Sequence, residues 1–258
     1  MTAVSIHPGI PDDARALIWE SFFREPGRGV TFERHLPWHA GPSVRTITVR
    51  EADDLVAAAV LRPAPQPGVA MIGYVCVAAA LRGRGYGRVL MAAVGMAADE
   101  QSYKAILLWT SKPAVYAAHG YDVIERDRFV RVMQRAASNG DVPGFRQEPW
   151  PGSSAIAGLP AFATSATRYW NDGAEAIVAT GPKGATLVSW DGKPLDVAAL
   201  AGAAGHMRWS TNLSPDDPFL RSLPADRFDI SIDDGAFTMA RRFDLGFVPA
   251  HVAVLDRI

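Results

Sequence analysis

A glycine-rich turn at Arg82–Gly87 contains the residue types best suited to binding an anion. It lies between an apolar stretch, Val69–Val77, and an amphipathic stretch that begins at Tyr86. Glycine permits positive φ and close approach of the backbone to a ligand. Free N–H groups and the dipole at the start of a helix attract negative charge. We therefore predict a pyrophosphate-binding turn here. Its residues are Arg82, Gly83, Arg84, Gly85, Tyr86 and Gly87.

Two familiar nucleotide-binding loops do not fit this turn. A Walker A loop ends in Gly-Lys-Ser/Thr, and the turn contains no lysine. The dinucleotide fingerprint Gly-x-Gly-x-x-Gly would need glycine or alanine at position 88 or 90. Those positions hold Arg88 and Leu90. The anion is therefore not expected to be held in either of these two ways.

The spacing Arg-x-x-Gly-x-Gly, at Arg82, Gly85 and Gly87, resembles the acetyl-CoA motif of the GNAT superfamily of acyl-CoA-dependent N-acyltransferases. In that family the motif follows the fourth strand and holds the pyrophosphate of acetyl-CoA. Val77, five residues before the arginine, also matches the family pattern. Ala79 stands where the family usually has proline, which is a mild departure.

A second segment of the same family follows at the expected distance. Pro113–Tyr121 resembles the Tyr-x-x-x-Gly-Phe segment of the fourth helix and the following turn. Tyr116 stands four residues before Gly120, and Tyr121 replaces the phenylalanine. With the order of predicted elements around both motifs, the resemblance covers roughly residues 1–133.

The resemblance implies direct attack of an amine on the thioester of acetyl-CoA in a ternary complex. It places the thioester carbonyl near a backbone N–H at Cys76–Val77, and it makes Tyr116 the acid beside the sulfur. The implied acceptor is the primary amine of a small molecule. An inactive acyl-CoA-binding sensor or partner-binding module is the alternative, and a longer acyl group is also compatible with the sequence.

The general base is not identified by the sequence. Many relatives carry a glutamate on the fourth strand, but Val69–Val77 contains no acidic residue. The candidates are Glu51, His35, His39, His119 or an ordered water molecule.

For the other residues that could bind or react, the sequence favours structural roles. Cys76 lies in an apolar stretch with no adjacent His or acid to lower its pKa, so a buried thiol is expected rather than a nucleophile. One cysteine forms no internal disulfide, and no pattern has zinc spacing, so no metal is predicted. Four aspartates could attract a cationic amine, but their places at a helix start and in a turn suggest structural roles. They are Asp216, Asp217, Asp233 and Asp234.

Charge and composition exclude some broad classes of function. The 258 residues are 48% apolar and 21% charged, with a net charge of −1, so a general nucleic-acid binder is not expected. Residues 1–135 carry 16 basic and 13 acidic side chains, a net of +3, whereas residues 136–258 carry 10 and 14, a net of −4. The longest apolar run is too short to span a membrane, and the first residues do not resemble a signal peptide. We predict a cytoplasmic protein without a membrane partner, as a monomer or homodimer.

The order of elements predicts an α/β fold with a mixed, mostly antiparallel sheet flanked by helices. In the first half we expect a strand, a helix over Pro11–Arg24, three strands, the glycine turn, a helix over Tyr86–Gln101 and further strands. Asp122–Met133 is predicted as one long strand or a bent pair.

The second half is predicted to contain a smaller, degenerate copy of the same fold. His206–Ile230 repeats the order of Tyr103–Ile124: a strand with a Trp-Ser/Thr pair, a short helix and a strand. It lacks the Arg-x-x-Gly-x-Gly motif, so it is not expected to bind CoA. We predict a catalytic domain at 1–135, a linker at 136–152 and the degenerate domain at 153–258. A short helix at Pro218–Leu223 and a hairpin turning at Asp233–Gly235 are also expected.

Overall fold

Strands from both halves of the chain form one sheet in the computed structural model, which describes residues 2–24, 30–135, 142–152 and 158–258. The strands are β1 (Thr2–Pro8), β2 (Arg45–Glu51), β3 (Asp54–Pro63), β4 (Val69–Val77), β5 (Ala105–Thr110), β6 (Asp122–Gln134), β7 (Arg146–Pro149), β8 (Ser165–Trp170), β9 (Ala174–Gly181), β10 (Gly184–Gly192), β11 (Arg208–Leu213) and β12 (Phe228–Arg242). The helices are α1 (Asp12–Phe22), α2 (Phe32–His35), α3 (Tyr86–Glu100), α4 (Pro113–Ala117) and α5 (Pro194–Ala203).

The sheet order is β1-β2-β3-β4-β5-β12-β6-β11-β10-β9-β8-β7. Among the described residues, β4–β5 and β10–β11 are the parallel pairs, and the other neighbours run antiparallel. The predicted fold class, a mixed and mostly antiparallel sheet flanked by helices, is therefore confirmed.

Helices cover both faces of the first half of the sheet. The apolar stripe of α3, which includes Leu90 and Val94, packs on the face that carries Ala57 and Ala59. The opposite face of β3, with Ala58 and Val60, packs against α1 and α2. Because side chains alternate along a strand, burial on both faces explains why Asp54–Pro63 is apolar almost throughout.

The second half repeats the arrangement of a strand, a helix and a parallel strand. In the first half this unit is β4, α3 and β5, and in the second it is β10, α5 and β11. Val197, Leu200 and Ala201 of α5 are buried in a separate core. The repeated unit and its separate core are compatible with the smaller copy of the fold expected from the sequence repeat, and that domain assignment stays a prediction.

The two long strands are exchanged between the halves. Strand β12 pairs with β6 from Phe228 to Ala240, and its second part, Phe237–Arg242, pairs with β5 on the other side. The second part of β6 in turn pairs with β11. Each half of the sheet is therefore completed by a strand that originates in the other half of the chain.

The predicted hairpin at Asp233–Gly235 is wrong, because β12 continues through it as one strand with an irregularity between Asp234 and Phe237. A Cβ added to Gly235 would lie 2.8 Å from the Cβ of Asp127 on β6. Glycine is thus required there by the close approach of the neighbouring strand rather than by a turn.

Other elements differ in extent from those predicted. The helix predicted at Pro218–Leu223 is a single 3-10 turn at Leu220–Ser222. Within the predicted linker, Arg146–Pro149 forms the edge strand β7, while residues 136–141 lie outside the described part of the chain. The strand β8 was not predicted either. None of the described helices has the length and apolar character needed to cross a membrane.

Candidate active site

Strands β4 and β5 separate within the sheet and open a gap between them. They pair in parallel from Val69↔Ala105 to Met71↔Leu107, and both then continue for several residues. On its other side, β4 has a bulge, because Tyr74 and Val75 together face the single residue Ala59 of β3. A bulge bends its strand and redirects its side chains. The gap therefore lies where β4 bends away from β5.

Tyr74 occupies the bulge in a conformation that is unusual for its residue type. Its φ is +51°, in the left-handed region that disfavours side chains with a Cβ. The bulge directs Tyr74 toward α1, where its ring meets Phe22 edge-on at 5.5 Å and lies 5.9 Å from Phe23. Val75 packs on the opposite face with α3. Backbone strain of this kind is concentrated at functional sites.

The glycine-rich turn lies beyond the end of β4 and leads into α3. Gly83 and Gly85 have φ of +79° and +87°, and no atom lies within 4 Å of a Cβ added to either. In the described part of the chain, the N–H groups of residues 83–87 have no hydrogen-bond acceptor. The turn thus presents a row of donors at the start of a 15-residue helix, as an anion site requires.

The arginines and the tyrosine of the turn do not share one role. The Nε of Arg82 donates to the carbonyl oxygen of Val77 at 3.3 Å, which ties the turn to the end of β4. Arg84 is exposed. Tyr86 instead packs into the core beneath α3, and a hydrogen bond to Glu51 raises the pKa of its hydroxyl. Tyr86 can therefore contact a ligand at the turn through its backbone but not through its side chain.

A cavity of about 330 Å³ opens at the bulge on the α1 side of the sheet. We call it the aromatic cavity, because seven of its 19 lining residues carry an aromatic ring. Its lining residues are Phe22, His35, Trp38, Ile72, Gly73, Tyr74, Val75, Leu108, Trp109, Tyr116, Gly158, Leu159, Pro160, Ala161, Phe162, Val254, Leu255, Arg257 and Ile258. The cavity therefore joins the gap between β4 and β5 to segments from the second half of the chain.

Tyr116, the predicted acid, lies on α4 and lines this cavity. Its ring packs edge-on against Tyr121 at 6.2 Å. Burial raises the pKa of the Tyr116 hydroxyl above its ordinary value, so the hydroxyl remains protonated at neutral pH. A protonated hydroxyl at the gap is positioned as a proton donor, but its role in catalysis remains a prediction.

Of the side chains considered as the base, His35 lines the aromatic cavity, and the others are not among its lining residues. The Nδ1 of His35 lies 2.8 Å from the carbonyl oxygen of Leu159. Because a carbonyl only accepts, Nδ1 carries the proton and Nε2 carries the lone pair when the ring is neutral.

The other candidate bases have partners elsewhere. The carboxylate of Glu51 accepts a hydrogen bond from Tyr86, and the Nδ1 of His39 lies 2.8 Å from the carbonyl oxygen of Leu36. His119 lies at the end of α4, where burial and the nearby Arg88 lower its pKa.

Cys76 is a buried apolar side chain rather than an activated thiol. It is 6% exposed, and its Sγ lies 3.6 Å from the carbonyl oxygen of Ala58. Burial raises the pKa of the thiol to about 11. Such a thiol is unsuited to nucleophilic attack. The contact of a thioester with the backbone at Cys76–Val77 stays a prediction.

The four aspartates singled out in the second half lie outside the aromatic cavity. Asp233 pairs with Arg131, and Asp234 pairs with Arg126 at 2.8 Å, across strands β12 and β6. The Oδ1 of Asp217 accepts a hydrogen bond from the backbone N–H of Phe219 at 2.8 Å. Within the described residues, no group of acidic, His and Cys side chains could hold a metal ion.

Sequence analysis missed two parts of the cavity wall. Tyr74 carried no motif, and its position depends on a bulge that periodicity does not reveal. Residues 158–162 and 254–258 join the wall only because the second half folds back onto α1 and β4. A Cβ on Gly73 would lie 2.4 Å from the terminal carboxyl carbon of Ile258, so glycine at position 73 permits this contact.

Comparison with known proteins finds one family model that matches part of the first half of the chain. Residues 12–122 match the model of the acetyltransferase (GNAT) family. No curated protein sequence shows a significant match to the chain.

Solved structures share the fold over nearly the whole chain. A GCN5-related N-acetyltransferase from Kribbella flavida is 17% identical, with a TM-score of 0.60, and the match covers 94% of this chain and 72% of that one. A probable N-acyltransferase from Enterococcus faecalis V583 is 16% identical, with a TM-score of 0.64 and coverage of 95% and 73%. A tandem GNAT protein from the clavulanic acid biosynthesis pathway is 15% identical, with a TM-score of 0.58 and coverage of 93% and 98%.

Proposed function

We propose that the protein transfers an acetyl group from acetyl-CoA to the primary amine of a small molecule, because residues 12–122 match the model of the acetyltransferase (GNAT) family. The observation that carries this proposal is the juxtaposition of three features. These are the N–H groups of residues 83–87, which have no acceptor among the described residues, the gap between β4 and β5, and the aromatic cavity into which the gap opens. The turn suits the pyrophosphate of the donor, and the cavity suits the acceptor.

In the proposed reaction, the nitrogen lone pair of the amine attacks the carbonyl carbon of the thioester. The carbonyl oxygen becomes an oxyanion, for which a backbone N–H near Cys76–Val77 is the proposed donor. When the intermediate collapses, the C–S bond breaks and the sulfur receives a proton from the Tyr116 hydroxyl. The products are an N-acetylated amine and CoA.

The attacking amine must also lose a proton. We propose that His35 accepts it at Nε2, directly or through water, because its Nδ1 proton is committed to the carbonyl oxygen of Leu159. Val69–Val77 contains no acidic residue, so the proposed base comes from elsewhere in the site.

The second half is proposed to be a degenerate module that does not bind CoA itself. Helix α5 is the counterpart of α3, but it begins with Pro194 after Lys193 rather than after a glycine turn. Residues 158–162 of this half line the aromatic cavity, so its proposed contribution is to close the acceptor site.

The proposal is tested by titrating acetyl-CoA and CoA into the full chain while following the melting temperature, and by assaying acetyl transfer to a broad panel of amines. We expect CoA to raise the melting temperature and the Gly85→Glu variant to abolish that rise, because the added carboxylate would occupy the anion site. A rise that persists unchanged in Gly85→Glu would refute the assigned site. CoA binding without turnover on any amine would favour the sensor function instead.

A further inference from the structure

An apolar groove runs between strand β1 and helix α3, on the face of the sheet opposite the aromatic cavity. Its volume is about 510 Å³. The lining residues are Val4, Ile6, Arg88, Val89, Ala92, Ala93, Met96 and Glu100. Among the described residues, eleven large apolar side chains are exposed, and four of them line this groove. Single exposed apolar side chains are ordinary, whereas a contiguous patch of them marks an interaction site.

The exposed face of α3 is apolar over most of its length. Between Arg88 and Asp99, the exposed residues of this helix are Val89, Ala92 and Met96, and Met96 is 65% exposed. A surface helix normally carries charged or polar side chains on the face away from its core. The apolar face of α3 is therefore suited to contact with another apolar surface.

Strand β1 forms the floor of the groove beside α3. Val4 and Ile6 lie directly opposite Val49 and Ile47 of β2, which are buried in the core beneath α3. They therefore point to the same face of the sheet as α3, yet they remain 44% and 43% exposed. The strand at the other edge of the sheet, β7, has the sequence Arg-Gln-Glu-Pro, and charges and proline discourage association at an edge. Strand β1 carries no Lys, Arg, Asp or Glu.

The side of α3 that faces the groove carries a row of residues that is complementary to itself. Arg88, Ala92, Met96 and Glu100 recur at intervals of four and so form one ridge along the helix. If two such ridges run antiparallel about a two-fold axis beside position 94, Met96 of each helix faces Ala92 of the other. Arg88 of each helix then faces Glu100 of the other. The large side chain meets the small one and the cation meets the anion, twice in each case.

We propose that this groove is the interface of a homodimer, in which α3 and β1 of one copy pack on α3 and β1 of a second copy. A two-fold interface uses the same patch on both subunits, so that patch must complement itself, as the ridge of α3 does. Packed helices lie about 8–10 Å apart, which is about twice the spacing of neighbouring strands. Because α3 packs over β2 and β3, the α3 of the second copy would lie over β1 and cover Val4 and Ile6.

The charges at the two ends of the ridge support a second copy as the occupant. Within the described part of the chain, neither Arg88 nor Glu100 forms an ion pair. Both charges are therefore available to the second copy. Charges at the rim of an interface select the partner and fix its orientation. Here they select the antiparallel arrangement that also places Met96 against Ala92.

Sedimentation equilibrium of the full chain without ligand measures the proposed association, and we expect the mass of two chains. Met96→Asp places a carboxylate from each copy in the apolar centre of the interface, so the dissociation constant should rise by about 100-fold or more. Because Met96 is 65% exposed, the variant is expected to keep the fold, which circular dichroism checks. Leu245→Asp is the matched control, since Leu245 is 81% exposed and lies outside the groove. It should associate as the wild type does.

A charge exchange tests the arrangement of the two helices. Glu100→Arg sets two cations against each other at both ends of the interface and should weaken the dimer by about tenfold. Adding Arg88→Glu to Glu100→Arg restores opposite charges with their positions exchanged. This double variant should recover most of the wild-type affinity. A double variant as weak as Glu100→Arg alone would refute the antiparallel arrangement.

Two further results would overturn the homodimer. One is a wild-type chain that stays monomeric up to about 100 μM, far above the dissociation constant of a stable dimer. The other is a dimer that persists unchanged in Met96→Asp, which would place the interface elsewhere on the molecule. Neither result depends on acetyl transfer. The failure of the homodimer would therefore leave the proposed function standing, and the absence of turnover would leave the homodimer standing.

Discussion

At the scale of single residues, Tyr116 is the side chain on which the proposed chemistry depends most directly. Replacing it by phenylalanine removes the hydroxyl and keeps the ring packing against Tyr121. We expect Tyr116→Phe to lower kcat by about 10²-fold or more, since general acid catalysis contributes on that order. Acetyl-CoA affinity, measured by isothermal titration, should remain within about twofold. Wild-type kcat in Tyr116→Phe would exclude the hydroxyl as the acid.

Cys76 provides a second prediction at this scale. Its pKa is about 11 in the folded protein and 9.0 as a free thiol, so at pH 8 the folded protein holds about 100-fold less thiolate. We expect iodoacetamide to modify native Cys76 at least about 100-fold more slowly than the urea-unfolded chain at the same pH. The rate is measured by mass spectrometry. Rapid native modification would indicate an accessible, activated thiol.

The raised pKa of the Cys76 thiol also has a consequence for the stability of the folded protein. Because the folded state holds the thiol proton more tightly, this contribution to the free energy of unfolding is complete below about pH 9 and is lost as the pH rises towards 11. In Cys76→Ala, stability measured by urea unfolding should fall less steeply between pH 9 and 11 than in the wild type. Parallel pH profiles for the two proteins would contradict this account.

At the scale of elements, the junction between the glycine turn and α3 combines a structural and a binding requirement. At Gly85, φ is +87° and the space around an added Cβ is open, so Gly85→Ala adds backbone strain of about 1–2 kcal/mol without a steric clash. Gly205, which follows α5 with φ of +83° and equally open surroundings, is the matched control.

Both alanine variants are expected to lose about the same free energy of unfolding in urea titrations. The affinity for acetyl-CoA should fall only in Gly85→Ala, because only that turn presents N–H groups to the proposed donor. Equal affinities in the two variants would move the donor site away from the turn.

Elements with strong local signals were predicted well from the sequence, and those defined by distant contacts were not. Helix α3 was predicted nearly to its bounds, because Leu90 and Val94 recur at helical spacing on a buried face. Asp-Gly at 234–235 favours a turn locally, but the pairing of β12 with both β5 and β6 outweighs that preference. Strand β7 is exposed throughout and has no apolar alternation from which it could be predicted.

In the candidate site, too, the part built from neighbouring residues could be predicted from the sequence, and the part built by distant contacts could not. The anion-binding turn could be found from local spacing, because its glycines and arginines are adjacent in the chain. The aromatic cavity could not, because Phe22, Tyr74 and residues 158–162 are brought together only by the tertiary fold. His35 was one candidate base among several until its place in the cavity wall distinguished it.

At the scale of the whole molecule, the exchanged strands link the folding of the two halves. A fragment of residues 1–135 would retain β5 and β6 but lose β12, the strand that lies between them. We expect this fragment to lack a cooperative thermal transition by circular dichroism, and the full chain to unfold in a single transition. A folded 1–135 fragment that binds acetyl-CoA would show that the first half is autonomous.

The part of the cavity wall formed by residues 158–162 and 254–258 has a consequence for how the selectivity for the acceptor amine can evolve. The proposed donor site lies within one stretch of the chain, whereas part of the acceptor wall is encoded more than 70 positions later. Substitutions in the later segments can therefore alter which amine is accepted while the donor site keeps its sequence. A mutant library confined to these segments would be an economical starting point for engineering new acceptor preferences.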